Sequence, residues 1–202
     1  MAIPLSAGKI TVSDISDKLE KSKASLKTLS FTFTQNTYIA GSTQTVQANV
    51  FFQKPDKLKI IYKTPQIQEI ILADGNLYTY VPKIKQITKQ RTSLRKDVLG
   101  TIPSLFFCDD PLQLIRKRFD LKVIDKKHKN EYSLIATPLT GEEFNNMLVE
   151  FDKNNCFPIR SLLKSEYLTS ETIYGSYRIN PNLSPEFFNV ELSDDINLIT
   201  ID

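Results

Sequence analysis

From Leu29 onward, apolar and polar residues alternate along the chain with a period of two. Leu29, Phe31 and Phe33 are interleaved with Ser30, Thr32 and Thr34, and Val46, Ala48, Val50 and Phe52 with Thr45, Gln47, Asn49 and Phe51. Leu58, Ile60 and Tyr62 repeat the pattern opposite Lys57, Lys59 and Lys63. This period predicts strands with one apolar face and one wet face. Ile67 to Ala73 reads as a further strand closed by Asp74-Gly75, a hairpin dipeptide. Leu77–Val81 and Ile84–Thr88 follow as short strands around Pro82. Alternation resumes at Leu121–Val123, Tyr132–Leu134, Met147–Val149–Phe151, Ile159–Leu163 and Ile173–Ile179. Hairpin-length spacing makes the sheet an antiparallel meander, and a twisted sheet of this size curls or closes.

Two stretches break the period. Thr11-Val12-Ser13-Asp14 is a helix start with a hydroxyl cap and a carboxylate three residues on. Val12, Ile15, Leu19 and Leu26 then fall at helical spacing, which predicts an amphipathic helix of about four turns. Further along, Thr101–Phe107 reads as a short apolar helix with an early proline. Asp110-Pro111 opens another, with Leu112, Ile115 and Phe119 on one side and Arg116, Lys117 and Arg118 on the other.

Composition narrows the function classes. The 202 residues are 41% hydrophobic and 24% charged with a net charge of +3, a soluble globular profile too mildly basic to imply a nucleic-acid partner. One domain over residues 1–202 is expected. The cluster Lys126-Lys127-His128-Lys129 reads as a solvated hairpin loop. It holds the one histidine, so neither a metal site nor histidine-based nucleophilic catalysis is expected, and no cofactor. Asp109-Asp110 and Glu142-Glu143 fit a helix cap and a turn better than an acid–base pair. With six glycines there is no phosphate-cradling loop, and no Gly-x-Ser-x-Gly elbow occurs. Cys108 and Cys156 permit one disulfide or two ordinary thiols. Met1–Leu5 lacks the basic start and apolar run of a signal peptide, which leaves a cytoplasmic chain and a mature form both open.

The apolar face has two readings: plain core, or the lining of a cavity. Only two or three short helices are available to cover one long apolar sheet. Where they leave space, a pocket for apolar ligands results. No convergent polar site is legible on this face, so the expected ligand is selected by its hydrocarbon with little regard to head group.

Three segments carry a family resemblance. "LSFTFTQ" (29–35), "VFFQKPDKLKIIYKTP" (50–65) and "EIILADGNLYTYVPKIKQIT" (69–88) resemble the lipoprotein-carrier family LolA, as does "YGSYRINPNLSPEFFNVEL" (174–192). The shared features are a Phe-Thr-Gln strand, a strand ending in a basic residue and proline, a second proline, and an Asp-Gly hairpin into an aromatic strand. The resemblance implies a mainly β fold with a few helices: a curved antiparallel sheet forming an unclosed β-barrel, with lid helices over a hydrophobic cavity. The implied lining is Phe31, Phe33, Val50, Phe52, Leu58, Ile60, Tyr62, Met147, Val149 and Phe151, and the lid contributes Leu105, Phe106, Leu112 and Ile115. Lys54 stands where the family has an arginine that bonds to the lid, and a lysine offers a point donor in place of a planar fork. The implied partners are acylated lipoproteins, an inner-membrane lipoprotein-releasing ABC transporter and an outer-membrane acceptor. The implied compartment is the periplasm, with the signal peptide absent from this sequence, and a monomer is expected.

A second reading within the same fold is a LolB-like outer-membrane acceptor or lipid-sensing module. An acceptor anchor calls for an N-terminal cysteine, and both cysteines here are internal. A lipid-processing enzyme needs a nucleophile–base pair, and none stands out.

Overall fold

The computed structural model describes residues 10–91, 111–126, 129–140, 145–191 and 193–201. Helix α1 spans Val12–Ala24. Its capping box is complete: the Thr11 N–H donates to the Asp14 carboxylate at 2.7 Å, and the Asp14 N–H donates to Thr11 Oγ1 at 3.2 Å. Val12, Ile15 and Leu19 form the buried stripe, and Lys21 and Lys23 sit in the last turn, where positive charge suits the helix dipole. Leu26 falls beyond the helix end and joins a different apolar cluster from the stripe. The helical spacing therefore overran the helix by two residues.

The strands are β1 (Thr28–Ile39), β2 (Ser42–Gln53), β3 (Lys57–Thr64), β4 (Gln68–Ala73), β5 (Asn76–Val81) and β6 (Gln86–Arg91). After the short helix α2 (Pro111–Arg116) come β7 (Phe119–Lys126), β8 (Glu131–Pro138), β9 (Asn146–Asp152), β10 (Pro158–Lys164), β11 (Leu168–Ile179) and β12 (Asn197–Ile201). Asp74 and Gly75 both have positive φ, as a two-residue hairpin turn between right-twisted strands requires. Ile84 lies in a single 3-10 turn between β5 and β6, and Phe119 opens β7, so neither belongs to the element its spacing suggested.

The twelve strands among the described residues form one sheet in the order β12-β6-β5-β4-β3-β2-β1-β11-β10-β9-β8-β7. It is a large curved sheet not closed into a barrel. Two meanders, β1 to β6 and β7 to β11, are joined where β1 pairs antiparallel with β11. The sheet is antiparallel except at one edge, where β12 adds in parallel to β6. A purely meandering reading missed that strand.

The outer face is less uniformly polar than alternation suggested. A 3-10 turn at Pro185–Phe188 lays Phe187 edge-on against Phe51, with ring centroids 4.8 Å apart, and Lys59 reaches over the same ring. Phe188 is buried, as are Ile71 and Ile87 on the outer face of β4 and β6. Further round, Glu150 bonds to Lys126 and Arg160, and Arg160 Nε donates to Glu171 at 2.6 Å.

Candidate ligand-binding face

Strand register sorts the inward side chains into rows that cross the sheet. On the first meander these are Leu29–Phe52–Leu58–Leu72–Leu77, Phe31–Val50–Ile60–Ile70–Thr79 and Phe33–Ala48–Tyr62–Gln68. The first row is buried from Leu29 to Leu72, with Phe52 only 1% exposed, whereas Leu77 at its end and Phe33, Ile60, Ile70 and Tyr62 in the rows beyond are half-buried. Burial thus grades from a sealed floor to an open end along the same strands.

The second meander carries rows of its own that reach β1 further along the strand. Val123–Leu134–Val149 leads into Ser161–Thr172–Gln35, and Leu121–Ala136–Met147–Leu163 leads into Ser170–Thr37. Val149 and Phe151 pack with Val12, Ile15 and Leu19 of α1 and with Leu112 of α2, and Met147 and Ile115 flank them. Lys18 of α1 donates to the Tyr132 hydroxyl at 2.7 Å and lies over its ring.

The ten residues proposed from sequence as one lining therefore divide. Met147, Val149 and Phe151 sit in the helix-covered cluster, and Phe31, Phe33, Val50, Phe52, Leu58 and Ile60 in the other. Tyr62 extends the second set, its ring 6.2 Å from that of Phe33. Leu112 and Ile115 are core partners of the first cluster. Leu105, Phe106 and Cys108 lie outside the described residues, as do the 101–107 helix, His128 and both acidic pairs.

Lys54 does make a bond of the kind expected, but to a different element. Its Nζ donates at 2.9 Å to the carbonyl of Lys23 in the last turn of α1. Its own N–H donates to the Lys27 carbonyl at 2.9 Å. The β2–β3 turn thereby holds the C-terminal end of α1, whose final carbonyls lack intrahelical donors.

Sequence reading missed the tyrosines of β11. Tyr174 and Tyr177 are three residues apart, so strict alternation would put them on opposite faces. An irregularity between β1 and β11, with Ser176 at a φ of 53°, inserts one residue and turns both inward. Phe31 stacks on Tyr177 at 5.3 Å and meets Tyr174 edge-on at 6.4 Å. The Tyr177 hydroxyl donates to the Pro158 carbonyl at 2.6 Å. Burial pushes the Tyr174 phenol up to about 12, with bonds to Ser161 and Thr172 opposing it, and raises those of Tyr177 and Tyr62. All three stay neutral near pH 7.

This face suits hydrocarbon and offers little to catalysis. Ser161 and Tyr174 lie 3.0 Å apart, but a phenol protonated to so high a pH does not serve as a general base. Burial likewise raises the thiol of Cys156, a free cysteine packed in the first cluster. Among the described residues no three His, Cys, Asp or Glu side chains gather as a metal site. No helix among them is long and apolar enough to cross a membrane.

Comparison with known proteins agrees with this architecture. The family model described as "Outer membrane lipoprotein carrier protein LolA" matches residues 24–190. No match is found among curated proteins. An uncharacterized conserved protein from Thermus thermophilus is similar in structure, with a TM-score of 0.63 at 10% identity, covering 94% of this chain and 98% of that one. MucB is also similar, with a TM-score of 0.57 at 15% identity over 95% of this chain and 66% of its own. MucB in the Pseudomonas aeruginosa MucA/MucB complex gives a TM-score of 0.52 at 16% identity over 93% of this chain and 64% of its own. This chain thus spans just under two thirds of MucB, and at such identities the likeness shows the fold alone.

Proposed function

The chain belongs to the LolA family, and we propose that it is a non-enzymatic carrier that shields the acyl chains of lipoproteins in water. The observation that carries this reading is the graded inward face of β1 to β4. Phe33, Ile60, Ile70 and Tyr62 stay half-buried there, while the apolar stripe of α1 and Leu112 of α2 belong to the other cluster. Acyl chains laid along Phe33, Ile60, Ile70 and Tyr62, above the buried Phe31 and Val50, would complete a core that the described helices leave incomplete. The driving force is large, because each CH₂ removed from water contributes about 0.8 kcal/mol.

In this reading residues 1–202 act as one periplasmic unit. It receives lipoproteins from an inner-membrane ABC transporter and passes them towards an outer-membrane acceptor. The bond from Lys54 to the end of α1 makes that helix the element whose position the β2–β3 turn controls. The test is twofold. Mass spectrometry of organic extracts from the purified protein should show co-purified acylated peptides. A fluorescent fatty acid should bind and be displaced by a diacyl lipopeptide. Folded protein that binds neither probe would overturn the proposal.

MucB supports a second reading, a sensing module that binds a partner protein, since MucB is seen in complex with MucA. Lipopeptide uptake without transfer to acceptor vesicles or proteins would favour it.

A further inference from the structure

Between the two apolar clusters, the inward face carries a band of hydroxyls on β10, β11 and β1. Ser161 Oγ lies 3.0 Å from the Tyr174 hydroxyl, and Thr172 also bonds to that phenol. One row away, Thr37 Oγ1 and Ser170 Oγ are 3.2 Å apart. Thr172 and Ser170 are only 6% and 7% exposed, while Ser161 and Tyr174 are half-exposed. Along the Ser161–Thr172 row, Val123–Leu134–Val149 lies to one side, and Gln35 and then Val46 to the other.

We propose that Ser161, Thr172 and Tyr174 form a docking point for the acyl-ester carbonyl of the ligand, at the junction where hydrocarbon ends. This rests on the carrier reading and adds selectivity to it. Three hydroxyls bring three protons. The two contacts among them use two, and the third is left to donate to an acceptor from outside. Such a donor, largely shielded from water, favours ligands that supply a carbonyl over those that leave it unpaired. The acceptor should be neutral: the inward positions of these rows on β1, β9, β10 and β11 hold no lysine or arginine, so a carboxylate would be buried without a counter-ion. The hydroxyls come from two adjacent strands and two neighbouring rows, Ser161 and Thr172 in one and Tyr174 in the next, so alternation within a single strand does not bring them together. That is why an expectation of indifference to head group followed from the sequence.

The experiment compares two synthetic lipopeptides of equal chain length, one with ester-linked and one with ether-linked chains. The wild type should bind the diester about three- to tenfold more tightly, the fold-change of one hydrogen bond. In the Thr172→Val/Tyr174→Phe double variant the ratio should fall to about one, with diether affinity unchanged. Ser161→Ala, the smallest change, should lower the ratio and carries the test if the double variant does not fold. A ratio near one in the wild type, or one that survives in the folded variants, overturns the docking point and leaves the carrier reading standing. Binding of neither lipopeptide overturns both.

Discussion

The two halves of the sheet use the same alternation to opposite ends. Over β7 to β9, Val123, Leu134, Val149 and Phe151 pack with α1 and α2 and are sealed, with Phe151 0% exposed, and Leu121 and Met147 in the row beyond are half-buried. Over β1 to β4, the inward residues are sealed at the Leu29–Phe52–Leu58 row and half-open beyond it. Strand pattern alone does not separate these fates, because it reports which face is apolar and not what lies upon it. The helices decide, and α1 commits its stripe to one side. In the proposed carrier, the sheet half with a helical cover is scaffold and its counterpart takes the ligand.

The contrast can be broken directly. Phe151→Ala should cost about 3–5 kcal/mol in urea unfolding, the range for an aromatic deleted from a packed core. At equal folded fraction it should leave probe binding intact. Ile60→Ser should do the reverse, weakening an acyl probe about tenfold with a smaller stability loss of about 1–2 kcal/mol. If Phe151→Ala loses the probe and Ile60→Ser keeps it, the roles of the halves are exchanged.

Lys54 sharpens the comparison where the halves meet. Lys54→Leu removes the donor to the Lys23 carbonyl, a bond whose lysine is exposed, so the effect should be about 1 kcal/mol. Uptake should persist, while amide exchange in the last turn of α1 and transfer to an acceptor should quicken. Lys54→Arg should restore both. Equal exchange in all three proteins would remove Lys54 from any control of the helix.

The smallest expected effect lies on the outer face. Burial alone would raise the Glu150 carboxyl, but the bond to Lys126 and then Arg160 outweigh it and hold it below its ordinary value. Its folded form therefore favours the ionised state. That stabilisation is complete above the ordinary glutamate range and is lost as pH falls through the depressed value. Glu150→Gln should flatten the decline of stability between about pH 5 and pH 3. An unchanged acid limb would show that the pair contributes nothing to folding.

Most of the strands were legible because one face of each is apolar, and so was the cap of α1, because Thr11 and Asp14 stand at capping distance in sequence. What escaped were features set by tertiary partners. β12 has all five residues exposed and is placed by backbone pairing to β6, with the Lys85–Asp195 ion pair at its start. It buries too little to leave a pattern. Leu26 kept helical spacing after the helix had ended. The inward turn of Tyr177 depends on one extra residue at Ser176, which periodicity reads as a change of face. The division of the lining could not be read at all, since Val149 and Val50 look alike until α1 is placed.

The β1–β11 pairing also sets how the molecule must assemble. Each meander is a run of hairpins whose partners are neighbours in the chain, and such pairs find one another quickly. The central pair joins residues as distant as Leu29 and Ile179, and it forms only after the whole intervening chain has been gathered in. High contact order of this kind makes folding slow, with β1 and β11 each exposing an unpaired, partly apolar edge in the meantime. On a ribosome, β1 is released long before β11 exists. A nascent chain would therefore wait with its β1 edge open, and that interval is when a holding chaperone would matter most.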